Sequence, residues 1–167
     1  MDEVQTFTFG PENGIPNSDL PLLFAKGAVR SESGDATTLL EENGWAGIWV
    51  FTVYPFWHFH TKGHEVLIGV QGTALIGFGG ERGIEVEMKP GDLALIPAGV
   101  GHKRLCGDNG FQVAGGYPPG QSGNIVRPGE LGANEIEQEL AALTLPQTDP
   151  LTGQAGGLLN LWRLIAE

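Results

Sequence analysis

Cysteine is nearly absent from this sequence: Cys106 stands alone, so no internal disulfide can form. Basic residues are also scarce, 9 against 20 acidic ones, for a formal net charge of -11. A surface this acidic repels phosphate backbones and anionic lipid, which argues against nucleic acid or a membrane as partner. Long apolar runs are missing, with nothing approaching the roughly 18 consecutive apolar residues of a membrane span. The start, Met1-Asp2-Glu3-Val4-Gln5, has neither the basic end nor the apolar stretch of a secretory signal. A reducing, cytoplasmic setting is the expectation.

What the sequence has in quantity is glycine and proline, 27 and 11 among 167 residues, with 41% hydrophobic residues. That size suits one domain spanning residues 1–167. Many breakers with modest charge point to short strands joined by tight turns. Val4–Phe9 alternates as a first strand, Gly10–Asp19 reads as a loop, and Leu22–Ala25 as a short strand. Asp35–Glu42 reads as a helix stopped by Asn43-Gly44. From about 45 to 116, glycine-punctuated runs follow one another: Trp45–Val53, Phe56–His60, Glu65–Gln71, Ala74–Phe78, Ile84–Met88, Leu93–Ile96, His102–Cys106 and Phe111–Gly115. Their spacing is that of a sandwich or barrel. Gly79–Gly83 reads as a hairpin turn, since no Lys-Ser/Thr or helix follows to make it a phosphate loop. Asn134 with Glu137 predicts a capping box for a helix presenting Ile136, Leu140 and Leu143. A final helix should pack Leu158, Leu161, Trp162 and Ile165.

Three of the four histidines, His58, His60 and His64, fall within seven residues and are followed by Glu65. Alternate residues of a strand share a face, so His58 and His60 point the same way. A turn through Thr61-Lys62-Gly63 returns the chain to Glu65, and His102 would join from a neighbouring strand. Imidazole nitrogens and a carboxylate oxygen are good ligands for divalent first-row metals, and four of them leave a position open for substrate or water.

The spacing around these residues is specific. His58-x-His60, four residues, Glu65, six residues and Gly72 form one block; Gly91, five residues, Pro97-x-Gly99, two residues and His102 form another. The two blocks resemble the paired motifs of the cupin superfamily. The distance to Gly72 selects Glu65 over His64 as the fourth ligand, and by alternation His64 then faces away. Thr52 and Cys106 depart from the glycine and asparagine often found at those positions, which bears on pocket shape rather than on the ligands. Ile15-Pro16-Asn17, Leu20-Pro21, the His60 to Glu65 stretch, Gly116-Tyr117-Pro118, Leu145-Pro146 and Thr148-Asp149-Pro150 extend the resemblance to the small bacterial YjlB-like cupins.

The resemblance implies an all-β double-stranded β-helix, a jelly-roll barrel with a few short peripheral helices, holding one divalent ion (iron, manganese, nickel or zinc) through His58, His60, Glu65 and His102. Cupins with this ligand set include dioxygenases, isomerases and decarboxylases. Glu65 would be a ligand or a base, and Glu65 or His64 would move protons in an isomerase. The alternatives are a non-catalytic, metal-dependent binding module for a small molecule, or a metal that only staples strands. Parity places Tyr54 and Phe56 on an apolar pocket wall with His58. Arg104 and Cys106 share the parity of His102 if no bulge intervenes; Arg104 either binds a substrate carboxylate or sits solvated at the barrel mouth, and Cys106 is a small buried hydrophobe rather than a reactive thiol. Gln71 is either a hydrogen-bonding partner behind the metal or a cap on the barrel floor. Trp57 and Phe59 fall on the opposite face and need cover from an N-terminal strand, the last helix or a second subunit, so a homodimer is expected.

Overall fold

The computed structural model describes residues 4–29, 33–107 and 110–166, which leaves Met1-Asp2-Glu3 outside the described residues. Among the described residues, nine strands follow in chain order: β1 (Val4–Phe9), β2 (Ser18–Ala25), β3 (Ala46–Phe51), β4 (Glu65–Gln71), β5 (Ala74–Phe78), β6 (Ile84–Met88), β7 (Leu93–Ile96), β8 (His102–Gly107) and β9 (Gln112–Tyr117). Three helices accompany them among the described residues: α1 (Ser33–Glu42), α2 (Ala133–Ala141) and α3 (Leu159–Ala166). The strands form two antiparallel sheets, one ordered β1-β2-β7-β4-β9-β3 and one ordered β6-β5-β8. The result is the expected all-β cupin architecture with short peripheral helices. No helix among the described residues is long and apolar enough to cross a membrane.

Strands β4 and β7 are buried on both faces, which is why they read as unbroken apolar runs. The inner face of the large sheet, including Leu22, Phe24, Leu67, Ala94, Ile96 and Val113, packs on Ala74, Ile76, Phe78 and Met88 of the small sheet region. Its outer face, including Val66, Ile68, Leu95 and Ala114, is covered by Ala36 and Leu40 of α1, by Trp45, and by Leu159 and Trp162 of α3. Burying these side chains supplies the main driving force, about 1.5–3 kcal/mol for each large one.

Helix α1 stops where Asn43-Gly44 predicts. Gly44 takes φ +84°, and the N–H groups of Gly44 and Trp45 bond back to the carbonyls of Glu41 and Leu40. The β5–β6 hairpin turns through Gly79–Gly83 as read. The motif glycines Gly91 (φ +92°) and Gly99 (φ +96°) occupy conformations closed to most side chains, and a Cβ on Gly99 would lie 2.5 Å from the Asn17 carbonyl oxygen.

Several boundaries differ from the sequence reading. Strand β2 begins at Ser18, because Asn17 (φ 52°) ends the loop by bonding Gly10, Gly79 and Gly101 through its side chain. Phe56–His60 makes only isolated bridges, His58 to His102 and Phe59 to Val126, rather than a strand. The first α2 cap is Gly132 without a side-chain bond, not Asn134, so the capping box is not formed. On α3 the buried side is Leu159 and Trp162, with Leu158 just before it, while Ile165 is exposed.

Candidate metal centre

His58 and His60 come from the extended segment before β4, Glu65 opens β4, and His102 opens β8. The His58–His102 bridge, with reciprocal backbone bonds of 3.2 and 2.9 Å, ties the first segment to β8. His60 is anchored differently: its carbonyl accepts from Gly99 N–H at 2.8 Å, the glycine of the second block. All four side chains are buried, each 4% exposed or less.

Each histidine ring gives its Nδ1 to a backbone carbonyl: His58 to Phe56 (3.0 Å), His60 to Asn124 (2.6 Å) and His102 to Val100 (3.1 Å). A carbonyl only accepts, so each Nδ1 carries the proton, and a ring in its neutral form turns an Nε2 lone pair inward. One ligand atom from each of the three histidines lies within 4.8 Å of the other two. Glu65 Oε1 is 3.2 Å from His60 Nε2 and 3.3 Å from His102 Nε2. His60 Nε2 is nonetheless buried without a hydrogen-bond partner.

The electrostatics ask for a cation. Burial alone would raise the Glu65 carboxyl, but the neighbouring His60 and His102 imidazoles hold it well below the usual carboxylate range. Burial opposes charging His60, yet Glu65 and the Asn124 carbonyl draw its pKa up. His58 is pushed down to about 3 by burial and by His102. Three inward lone pairs and an ionised carboxylate, one nitrogen orphaned, fit a divalent metal.

Tyr117, which the sequence reading left without a role, completes the wall. Its hydroxyl donates to Glu65 Oε2 at 3.0 Å and accepts from Trp49 Nε1 at 2.8 Å. Burial and the Glu65 charge push its pKa up, so the phenol stays protonated. Gly115 makes this possible: a Cβ there would sit 2.2 Å from the Trp49 ring. Parity with inward Val113 was the available signal.

The cluster floors an open cavity of about 310 Å³, walled by residues that include Trp49, Phe51, Val53, Tyr54, Leu67 and Ile125. Tyr54 lines it as expected. Phe56 does not: it stacks on Tyr54 at 5.1 Å and carries the Arg127 guanidinium 3.6 Å from its ring centre. Arg104 is half-buried outside the lining and gives its Nε–H to the Val53 carbonyl at 3.1 Å. Cys106 is exposed rather than buried, because the register shifts at Leu75/Ile76 and Leu105 becomes an extra residue. Gln71 is exposed at the far end of β4, about 20 Å along the strand from Glu65, and neither backs the metal nor lines the cavity.

His64 faces away from the cluster. Its Nδ1 accepts from Ala98 N–H at 2.9 Å, its ring packs 5.0 Å from that of Trp162, and burial pushes its pKa down to about 4. It lies outside the cavity, so the proton-transfer role expected of it has no support from its position. Phe59 is covered from within the chain by Val126 and Ile136, and Trp57 donates to Glu81 at 2.8 Å; these rings give no reason of their own for a second subunit.

No family model matches the chain. An uncharacterised protein, YjlB of Bacillus subtilis, is 37% identical over 161 residues, 96% of this chain and 97% of that one. Among solved structures, an acireductone dioxygenase from Bacillus anthracis with cadmium in its active centre has a TM-score of 0.38 at 22% identity, covering 51% of this chain and 58% of that one. A structure of DMSP lyases has a TM-score of 0.37 at 15% identity, covering 74% of this chain and 52% of that one. With 37% identity across nearly its whole length and both cupin blocks in place around one histidine cluster, this chain belongs to the YjlB family of cupins.

Proposed function

We propose that this chain is a metal-dependent enzyme acting on a small molecule, with His58, His60, Glu65 and His102 holding one divalent ion. The observation that carries the reading is the open cavity: the cluster lies at its floor rather than sealed in the core, leaving room for a ligand beside the metal. A bound ion would supply Lewis acidity, and iron would add the redox chemistry of a dioxygenase-like reaction. The chain's own groups orient and enclose. Backbone carbonyls fix the three imidazoles, Tyr117 keeps its proton and holds Glu65, and apolar side chains wall most of the cavity.

One observation favours a second reading, metal-dependent binding without turnover. The Tyr117 oxygen already donates to Glu65 and accepts from Trp49, Glu65 is engaged through both oxygens, and His64 lies elsewhere. Homodimer formation also belongs to this proposal, supported by Leu164 and Ile165 of α3, 73% and 49% exposed. A chain that sediments as a monomer at micromolar concentration refutes it.

The deciding experiment is elemental mass spectrometry on anaerobically purified protein beside a His58→Ala/His102→Ala double variant. About one equivalent of metal in the native protein, lost in the variant, supports the centre. Iron makes oxygen uptake the first turnover assay, whereas zinc, nickel or manganese moves non-redox isomerisation or plain binding ahead. No metal in either sample after reconstitution overturns it.

A further inference from the structure

We propose that the cavity selects a small ligand whose metal-binding head enters first and whose remaining body is apolar and carries no negative charge. The inference rests on the metal-centre reading above and names the substrate class of that site. The polar groups at the cavity's inner end are the metal-binding set and Tyr117, whose hydroxyl is engaged on both sides. Beyond them the walls are mainly apolar, Trp49, Phe51, Val53, Leu67 and Ile125, with Thr52, Tyr54 and Gly123 also lining the space. The apolar character continues outward: Phe51, Ile125 and Tyr54, which line the cavity, are 54%, 43% and 38% exposed. Solvent-facing apolar side chains gathered at one opening mark a surface that an apolar ligand covers.

Charge gives the second half of the argument. Among the described residues no lysine or arginine lines the cavity, and the one carboxylate there is Glu65. Arg104 gives its Nε–H to the Val53 carbonyl, and Arg127 lies over the Phe56 ring. A carboxylate or phosphate on the ligand's outer end would enter an apolar wall unpaired, inside a protein of net charge -11. At about 310 Å³ the space is at the small end of ligand cavities, which run to roughly 1,000 Å³. One ring or a short chain fits beside the chelating head.

The test uses the full chain loaded with zinc, its content checked by elemental mass spectrometry, and two hydroxamates with the same chelating head. Calorimetric titration compares 4-methylbenzohydroxamate with 4-carboxybenzohydroxamate. The methyl compound is expected to bind at least tenfold tighter. In Ile125→Lys, a substitution at a half-exposed mouth position, the ratio should narrow or reverse. Equal or tighter binding of the carboxylate by the native chain overturns the proposal, as does a zinc-loaded sample that binds neither. A chain that takes up no zinc overturns the metal reading, and the proposal with it.

Discussion

The Tyr117 hydroxyl donates a 3.0 Å hydrogen bond to Glu65 Oε2, and Glu65 Oε1 faces His60 and His102. One oxygen of the carboxylate is thus held from behind, and the other would be the one to meet a bound metal. Groups that orient a ligand carboxylate typically change metal affinity by about 10–100-fold. Tyr117→Phe should keep a stoichiometry of one metal and weaken affinity within that range, measured by competition with a chelator. Unchanged affinity would show that the hydroxyl does not position Glu65.

Metal binding to the folded chain alone must raise its stability. At a free metal concentration about 100 times Kd the gain is about 2.7 kcal/mol, or roughly 5–10 °C in Tm for a chain of this size. The His58→Ala/His102→Ala variant, which lacks two of the convergent Nε2 atoms, should show no metal-dependent shift in a thermal melt. An equal shift in the variant places the metal elsewhere.

Acid should weaken the metal-free protein partly through His64. Burial depresses its pKa in the fold to about 4, against an ordinary value of 6.5. The unfolded chain therefore takes up a proton before the folded one does. This contribution is fully present above pH 6.5 and is lost as pH falls from 6.5 toward 4, by at most about 1.4 kcal/mol per pH unit. His64→Asn retains an acceptor for Ala98 N–H and removes the titration. Urea melts across that range should show a shallower pH dependence for the variant; parallel curves would exclude His64 as a source of acid sensitivity.

Asp149, fully buried, binds the closing loop together. Its carboxylate accepts from the N–H groups of Leu151, Thr152 and Leu158, just before α3 delivers Trp162 to the core. Asp149→Ala strands these donors and should cost about 2–4 kcal/mol in denaturant unfolding. Asp149→Asn, which retains one carbonyl acceptor, should cost less. A loss under 1 kcal/mol in the alanine variant would mean that the loop is held by Trp162 packing instead.

Much of this was legible along the chain. Strands β4 to β7 begin and end at the residues read from the apolar runs and glycines, since each run was bounded by turn chemistry next to it. The gathering of His58, His60 and Glu65 with His102 was legible because its spacings describe local geometry: alternation along an extended segment, a tight turn, and a glycine-proline turn ahead of His102. The α2 cap was misread because Asn134 lies inside the first turn of a helix that Gly132 begins, and its side chain is not where the free N–H groups are.

The sequence by itself determined which residues could bind a metal, where most strands run, and that His64 would turn from the site, because period-two alternation and turn preferences act over a few residues. Tertiary structure alone decided what surrounds those ligands. Tyr117 meets Glu65 only because β4 and β9 pair in one register, and Trp49 reaches Tyr117 only because Gly115 lies opposite it on β9. The extra residue at Leu105 turns Cys106 to solvent, and Arg104 is taken up by a backbone carbonyl. Each of these depends on how segments far apart in the chain slide against one another, a relation carried by packing and ladder hydrogen bonds rather than by any short run of residues.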